Sequence, residues 1–371
     1  MGTPEWYTIN NVDELDTPAL VVYPDRVKYN IGLVKTMIDD VFRLRPHVKT
    51  HKSLDVSLLM IQAGIQKFKC ATIAEAEMLG MAAAPDVLLA YQPAGPKLKR
   101  FVQVIKTYPQ TTYSCLVDNE DTANAISAEA VKSNIKITVY IDLNVGMNRT
   151  GIAPGADALD LYTTCLSLPG LVLMGLHAYD GHIHDSDYAV RQKRSDESMG
   201  PVFKLIDDIA AKGYPQSVLI AGGSPTFSIV SKINGIECSP GTFVYWDKGY
   251  ETAYPEQPFQ TAALIVARVI SLPEEGRICI DLGHKSVSAE NELAKRVYFL
   301  NAPELKFIGH SEEHLVAGAG KDHQYKVGDI LYGLPYHVCP SVALYERAIT
   351  IENKMVTSEW KTTARDRKIT I

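Results

Sequence analysis

Residues 45–52 read RPHVKTHK and directly follow the apolar-alternating VFRL of residues 41–44. Read as a strand, this stretch places His47, Lys49 and His51 on one face. Positive neighbours and burial both lower the pKa of an amine, which makes Lys49 a better nucleophile toward a carbonyl. A solvated basic edge strand is the alternative interpretation of the same residues. We expect Lys49 rather than Lys52 to be the reactive amine, because Lys49 lies within the strand pattern.

Strand-like and helical segments alternate along most of the chain. The strand-like runs are 44–50, 68–73, 86–90, 112–117, 136–143, 171–177, 217–221 and 236–239. Helical spacing separates nearly all of them, at 73–81, 96–107, 119–132, 156–167 and 201–212. About eight repeats of strand and helix predict an α/β fold with a parallel (β/α)8 TIM-type barrel.

The texture of the sequence changes after about residue 247. The later segments are β-rich and nearly lack helical spacing: 261–270, 277–282, 296–300, 314–317, 329–334 and 348–352. A short apolar strand near Leu20 is expected to join them. We therefore predict a barrel over residues 24–250 and a β-domain formed by residues 1–23 and 251–371.

Composition excludes several classes of protein. The net charge of −6 and the lack of basic blocks argue against a nucleic-acid partner. Six cysteines without a CxxC motif indicate reduced, mostly buried thiols. The N-terminal stretch has no apolar signal region and no run approaches the length of a membrane span, so we expect a cytoplasmic protein.

Two glycine-rich loops follow the last two predicted barrel strands. They read GGSPT at residues 222–226 and SPGT at residues 239–242. Backbone N–H groups and Ser/Thr hydroxyls of these two loops can donate to a phosphate at this end of a barrel. Ordinary turns would use the same residues. A lysine nucleophile and a phosphate site at one barrel mouth suggest pyridoxal phosphate held as a Schiff base.

Other residues could serve the same mouth. Arg149 could reach the cofactor's phenolate, or form a structural salt bridge. His182 and His184 follow the sixth strand, and the sequence does not say which of them faces the site. In the C-terminal part, His337 and Cys339 would point the same way on a strand and could bind one cation. A buried histidine beside a buried cysteine is the alternative.

Several motifs together resemble the fold-type III pyridoxal-phosphate enzymes related to alanine racemase, specifically the metal-activated branch of D-threonine aldolases and D-serine dehydratases. The resemblance runs from Asp16 to about Tyr345. It is carried by RPHVKTHK (45–52), VGMNRTG (145–151), the two glycine-rich loops, DLGHKS (281–286), EEH (312–314) and HVCPS (337–341).

The resemblance implies an alanine racemase-like fold and a role for each matched residue. Lys49 would carry pyridoxal 5'-phosphate, and Tyr179 would lie against its pyridine ring. His337 and Cys339 would hold a divalent metal. The residues implied for the phosphate are Ser224, Gly241 and Thr242.

The chain also departs from the family pattern. Aldolases of this branch tend to have His-x-Asp at the metal site, whereas His-x-Cys looks like the zinc-dependent dehydratases. The aldolase's histidine six residues after the tyrosine falls on Asp185, with His184 one position short. Ser239 replaces the arginine of the racemases, which argues against racemisation.

These observations predict a lyase for D-3-hydroxy-amino acids, with a D-threonine aldolase as the main hypothesis. Its base would be His184 or a metal-bound water. A D-serine or D-3-hydroxyaspartate dehydratase is the alternative, with Lys49 taking the Cα proton. A racemase and a non-catalytic pyridoxal-phosphate carrier are further alternatives. Zinc, manganese or magnesium could be the metal, and the resemblance implies a homodimer with the active site near the interface.

Overall fold

The computed structural model describes residues 5–215 and 217–371. Residues 1–4 of the predicted β-domain and of the N-terminal stretch lie outside the described residues, as does Gln216. The described residues divide into two compact units. One is β-rich and comprises 5–33, 50–56 and 242–365; the other comprises 34–49, 57–241 and 366–371. None of the helices that the structure describes has the length and apolar character needed to cross a membrane.

Strands and helices follow one another closely in the first two thirds of the chain. The strands are β1 (Ala19–Val22), β2 (Lys67–Cys70), β3 (Asp86–Leu89), β4 (Thr112–Val117), β5 (Ile137–Leu143), β6 (Leu171–Ala178), β7 (Val218–Ala221), β8 (Ile236–Cys238), β9 (Ala263–Ser271), β10 (Arg277–Ile280), β11 (Val297–Phe299), β12 (Lys306–His310), β13 (Leu315–Gly318), β14 (Ile330–Pro335), β15 (Arg347–Glu352) and β16 (Met355–Lys361). The α-helices are α1 (Pro24–Thr36), α2 (Leu54–Gln62), α3 (Ile73–Met81), α4 (Pro96–Thr107), α5 (Glu120–Lys132), α6 (Ala156–Ser167), α7 (Tyr188–Ala211), α8 (Phe227–Val230), α9 (Lys248–Ala253) and α10 (Val338–Val342).

The second unit is built on a parallel sheet in the order β2-β3-β4-β5-β6-β7-β8. The segment before β2 closes the sheet, because Leu44 bridges Cys238 of β8 and His47 bridges Lys69 of β2, both in parallel. With its alternating helices, this arrangement confirms the predicted barrel. Small apolar clusters fill its interior, and one consists of Leu88, Leu116, Tyr140 and Ile220.

The first predicted barrel strand, residues 44–50, is less regular than expected. It contributes only isolated bridges at Leu44 and His47, and a turn begins at Val48. Pro46 lies between the bridges and has no N–H group to donate to a ladder. Its carbonyl still accepts from Lys69 N at 2.9 Å. The segment therefore closes the barrel without forming a continuous strand.

The start of one helix was predicted too far along the chain. The sequence pattern suggested residues 201–212, whereas α7 spans Tyr188–Ala211 and contains Pro201. The buried face of its N-terminal half includes Arg191 and Ser195, so apolar spacing could not reveal it. Asp187 caps the true start by accepting from Val190 N at 3.0 Å.

The β-rich unit contains a nine-stranded sheet with the path β12-β13-β10-β9-β1-β15-β16, and β14 pairs with both β9 and β11. β1 is antiparallel to β9 and parallel to β15, so the N-terminal strand lies in the same sheet as the C-terminal strands. The sequence did not predict β12 or β16. Both are edge strands without a buried residue, and therefore they lack the alternation of buried apolar and exposed polar side chains.

Candidate active site

A cavity of about 230 Å³ opens at the carboxyl ends of the barrel strands. Active sites of such barrels lie at this end, on the loops that follow the strands. Three of the residues predicted from the sequence, Lys49, Arg149 and Tyr179, contribute to the lining. The full lining is His47, Lys49, Lys69, Ala71, Ala90, Tyr91, Asp142, Leu143, Met147, Arg149, Thr150, His177 and Tyr179.

Lys49 is half-buried and lies in the turn after the first barrel segment, not on a strand. The ladder ends where Val48 N donates to Lys69 O at 2.9 Å. Lys49 N then donates to Nδ1 of His47 at 3.2 Å. The strand alternation used to align Lys49 with His51 is therefore wrong. Burial lowers the pKa of His51 to about 3, so this imidazole carries no charge at neutral pH.

The ring of Tyr179 is surrounded by three cationic side chains. Nζ of Lys49 lies 5.8 Å from the ring centroid, Nζ of Lys69 lies 5.3 Å away, and Cζ of Arg149 lies 5.3 Å away. These distances fall within the usual range of cation–π contacts. A Cβ on Gly181 would come within 2.4 Å of the Tyr179 ring. Because glycine has no Cβ, this position leaves room for the ring.

Two ionisable residues of the cavity, Asp142 and His177, had been given no role from the sequence. Asp142 and His177 end β5 and β6, and Nδ1 of His177 lies 2.7 Å from Oδ1 of Asp142. Burial and the nearby Lys69 lower the pKa of His177. Burial works against the charge of Asp142, but the hydrogen bonds from His177 and Thr150 and the nearby positive charges together outweigh it, and the pKa of Asp142 falls.

This pair has a defined polarity. An ionised Asp142 can only accept, so a neutral His177 donates from Nδ1 and keeps a lone pair on Nε2. Nε2 is buried and has no hydrogen-bond partner. A cavity-lining acceptor without a partner indicates that a polar ligand completes the site. The strand-end positions of Asp142 and His177 in the sequence were the signal for both.

Lys69 lies near the end of β2, between Phe68 and Cys70, and only 4% of its surface is exposed. Burial, and next the charge of Lys49, lower its pKa to about 7. Its position near the carboxyl end of a barrel strand was the available sequence signal. Lys69 therefore supplies the positive neighbour of Lys49 that had been expected from His51.

The two glycine-rich loops meet within the barrel unit. Gly241 N donates to Oγ of Ser224 at 3.1 Å, and Gly223 N donates to Oγ1 of Thr226 at 3.3 Å. Gly222 adopts φ +74°, a conformation that favours glycine. Ser224 and Gly241 are thus brought together as predicted, and Thr242 follows directly in the chain. These loops offer hydroxyls and backbone N–H groups of the kind that bind phosphate.

The histidines after β6 have different surroundings. His184 is exposed and is not part of the cavity lining. His182 packs against the loop after β5, where a Cβ on Gly146 would come within 2.6 Å of its Nε2. Asn144 holds that loop, because its Oδ1 accepts from the N–H groups of Gly146 and Asn148 at 3.1 and 3.0 Å.

His337 and Cys339 come together in the β-rich unit, but not on a strand. His337 is the N-cap residue of α10, and Cys339 lies in its first turn. A side-chain hydrogen bond joins the two residues, and Nδ1 of His337 also contacts Oε1 of Glu290. Burial lowers the pKa of His337, but Cys339 and Glu290 outweigh it and raise this pKa to about 9.

Two hydroxyls lie beside the thiol of this pair. Oγ1 of Thr50 is 3.1 Å from Sγ of Cys339, and Oγ1 of Thr242 is 3.9 Å from it. In the part of the chain that the structure describes, no three histidine, cysteine or acidic side chains form a metal-binding group. His337 and Cys339 can thus supply two ligands to a cation. Its remaining ligands would have to come from a bound small molecule or from water.

Known proteins resemble both parts of this chain. The chain belongs to the family of the alanine racemase N-terminal domain, whose model matches residues 22–248. A putative serine dehydratase domain matches residues 262–351.

Individual relatives cover nearly the whole chain. The D-threonine aldolase of Arthrobacter sp. is 27% identical over 95% of this chain and 93% of its own length. The D-threo-3-hydroxyaspartate dehydratase of Delftia sp. (strain HT23) is 27% identical over 89% of this chain and 93% of its own. The crystal structure of D-threonine aldolase from Filomicrobium marinum superposes with a TM-score of 0.86 at 24% identity, covering 98% of this chain and 99% of that one.

Proposed function

We propose that the protein is a lyase that uses pyridoxal 5'-phosphate and a divalent metal to cleave D-3-hydroxy-amino acids, foremost as a D-threonine aldolase. The observation that carries the proposal is the cavity at the barrel mouth, where Lys49 and Tyr179 lie together. The similarity to an aldolase over 95% of the chain supports it. Cleavage would release glycine and an aldehyde.

The residues of the barrel fit the cofactor. Lys49 would hold its carbonyl carbon, and Ser224, Gly241 and Thr242 would hold its phosphate. The cavity carries three cationic side chains and one carboxylate, which suits an anionic occupant. The unpartnered Nε2 of His177, as an acceptor, would pair with a donor group of the bound ligand. When bound, the cofactor would supply an electron sink for the broken bond.

The remaining barrel residues have proposed roles that variants can separate. Arg149 and Tyr179 would orient the ring of the cofactor. His184 is our proposed base for the proton of the substrate's 3-hydroxyl, and its exposed position makes His182 the natural comparison. His184→Ala should lower kcat by about 10²-fold or more, the usual contribution of a general base, with little change in KM. If His184→Ala is fully active and His182→Ala instead shows the expected loss of kcat, the base is His182.

The metal is proposed to bind at His337 and Cys339. A thiolate ligand favours zinc over magnesium, with manganese as a further candidate. When bound, the cation would act as a Lewis acid toward the 3-hydroxyl. The same ligand pair favours a second candidate function, a dehydratase for D-serine or D-3-hydroxyaspartate. In that case Lys49 would take the Cα proton, and the products would be a keto acid and ammonia.

Metal removal and product analysis test both parts of the proposal. Chelation should abolish turnover and leave the cofactor's absorbance unchanged, and added zinc should restore turnover. D-threonine should then give glycine and acetaldehyde, whereas 2-oxobutanoate and ammonia would favour the dehydratase. Full activity in exhaustively chelated protein would contradict the metal's role. The homodimer and the cytoplasmic location stay predictions from the sequence.

A further inference from the structure

Lys69 is a buried amine to which the reaction so far gives no role. Its side chain lines the cavity, and its Nζ lies 5.3 Å from the centroid of Tyr179. It also adjoins the segment that carries Lys49, because His47 bridges Lys69 and Val48 N donates to Lys69 O at 2.9 Å. Two lysines from neighbouring segments thus enter the same space.

No carboxylate of the described residues forms a salt bridge with Lys69. Asp142 and Asp180 both favour its charge, but only through space, and Oδ1 of Asp142 is engaged by His177. Lys49 and Arg45 oppose the charge. Burying an ammonium without a partner is expensive, so such groups are normally paired or lose their proton. Burial and the neighbouring Lys49 lower the pKa of Lys69, and an anion bound beside it would stabilise its charged form.

The position of Lys69 restricts which anion that could be. The loops at Ser224 and Gly241 already offer donors for a phosphate after β7 and β8, whereas Lys69 is on β2. In an α-amino acid a single carbon separates the nitrogen from the carboxylate. If the amino group reacts where Lys49 reacts, its carboxylate must therefore lie close to the Lys49 side chain. Lys69 is the buried cation beside Lys49.

We propose that Lys69 binds the α-carboxylate of the amino-acid substrate and so selects amino acids over simple amines. This inference rests on the proposed function, because it needs a substrate amine at the position of Lys49. In the charged form, the ammonium of Lys69 donates to the carboxylate, and the ion pair replaces the missing partner. Lys69 would then determine substrate specificity without taking part in bond cleavage.

A matched pair of ligands tests the proposal directly. D-alanine and ethylamine differ only in the carboxylate, and neither has a 3-hydroxyl to cleave. Their dissociation constants are measured on the holoenzyme from the change in cofactor absorbance. The wild type should bind D-alanine more tightly than ethylamine by about 10- to 100-fold, the usual contribution of a hydrogen bond to a charged group.

Variants of Lys69 then remove or keep the charge. Lys69→Met should reduce the preference for D-alanine to within about 3-fold of unity, by weakening D-alanine and not ethylamine, whereas Lys69→Arg should keep a preference of about 10-fold. Lys97→Met is the matched control, because Lys97 is exposed over the ring of Tyr91 at 5.2 Å and should leave the preference unchanged.

Two results would overturn the role of Lys69. One is an unchanged preference in Lys69→Met, even if its kcat falls, since that would indicate proton transfer instead. The other is loss of the preference in Lys69→Arg to the level of the methionine variant. Failure of the proposed function looks different: a wild-type protein without cofactor absorbance, or with borohydride fixing the cofactor on a peptide other than that of Lys49.

Discussion

The floor and the mouth of the barrel handle buried charge in opposite ways. At the floor, the fully buried Arg45 donates to both carboxylate oxygens of Asp86 at 2.6 and 3.0 Å. It also donates to Glu237 at 2.7 Å, and Lys67 pairs with the other oxygen of Glu237. Every charge of this group therefore has an opposite partner in the folded chain.

At the mouth the balance is different, although the same segments contribute. β2 carries Lys67 at the floor and Lys69 at the mouth, and the first segment carries Arg45 and then Lys49. Asp142 is the one carboxylate among the described residues that line the cavity, and His177 already forms a hydrogen bond with it. The difference teaches that uncompensated charge, not charge as such, marks the end of the barrel where a ligand belongs.

The largest expected effect is the loss of the reactive amine. Lys49→Ala should reduce turnover by at least about 10³-fold, because no other group can take the place of a covalent nucleophile. Its unfolding free energy should stay near that of the wild type, since Lys49 forms no ion pair with any residue that the structure describes. Borohydride reduction of the wild type followed by peptide mapping should find the cofactor on Lys49.

Lys52→Ala is the control for this assignment. Lys52 precedes α2 and has a backbone φ of +50°. We expect Lys52→Ala to keep near-normal activity. If borohydride fixes the cofactor on the peptide of Lys52, or if the Lys49→Ala protein is active, Lys49 is not the reactive amine at the mouth.

The floor should show the opposite pattern, with a large loss of stability. Arg45→Met keeps much of the side-chain volume but leaves Asp86 without its partner and Glu237 with Lys67 alone. Breaking a buried ion pair from one side typically costs about 3–5 kcal/mol. Urea unfolding should report this loss, while Arg149→Met, exposed at the mouth, should change stability by less than about 0.5 kcal/mol. A floor variant as stable as the wild type would end the distinction between the two regions.

Local sequence rules predicted most of the barrel because several of its helices have a clear signal. The bounds of α3, α4 and α6 were predicted to the residue, and Thr72 caps α3 by accepting from Glu75 N at 3.0 Å. Such rules failed where tertiary context decides the structure. The first barrel segment contains Pro46 and closes the sheet through isolated bridges, and α7 buries Arg191 where an apolar residue was expected.

For the site, the sequence identified strand ends but not the partners of the side chains there. Lys49 and Tyr179 could be assigned to the mouth from their positions after strands. The role that we propose for Lys69 could not be recognised from the sequence, because only the folded barrel shows that this lysine is buried and forms no salt bridge with the described residues. His337 and Cys339 were paired for the wrong reason, since a helix start and not a strand brings them together.

A smaller effect is expected from the hydrogen bond that holds His177. Asp142→Asn keeps the shape of the side chain but removes the charge that fixes the proton on Nδ1 of His177. Losing a hydrogen bond to a charged group costs about 1.5–3 kcal/mol. We expect kcat to fall by about 10- to 100-fold, with the pKa of His177 lowered further because its carboxylate partner is gone. NMR titration of the histidine, with His182 as internal reference, checks the second point.

A His177→Gln variant and the Asp142→Asn/His177→Gln double variant complete the cycle. If Asp142 acts through His177, the two losses should not add, and the double variant should resemble His177→Gln alone. Fully additive losses would mean that Asp142 contributes to the mouth independently of the imidazole.

The smallest effect should come from the two lysines of β2, and it should differ in sign. Lys67 is partly exposed, with 28% of its side chain accessible, and shares Glu237 with Arg45. Lys67→Met should therefore lower the unfolding free energy at pH 7 by no more than about 1 kcal/mol. Lys69→Met removes an unpaired buried amine instead, and should raise the unfolding free energy at pH 7 by about 1 kcal/mol or more.

The pH dependence separates these two causes. The pKa of Lys69 is about 7 in the folded chain and near 10.4 in an unfolded one, so between these values the unfolded state binds more protons. The wild type should thus gain stability relative to Lys69→Met as the pH rises from 7 to 9.5, and the advantage of the variant should shrink. The difference between Lys67→Met and the wild type should stay constant over the same range. Urea midpoints of all three proteins at both pH values measure this. An advantage of Lys69→Met that is independent of pH would show that packing, and not the buried charge of Lys69, explains the difference in stability.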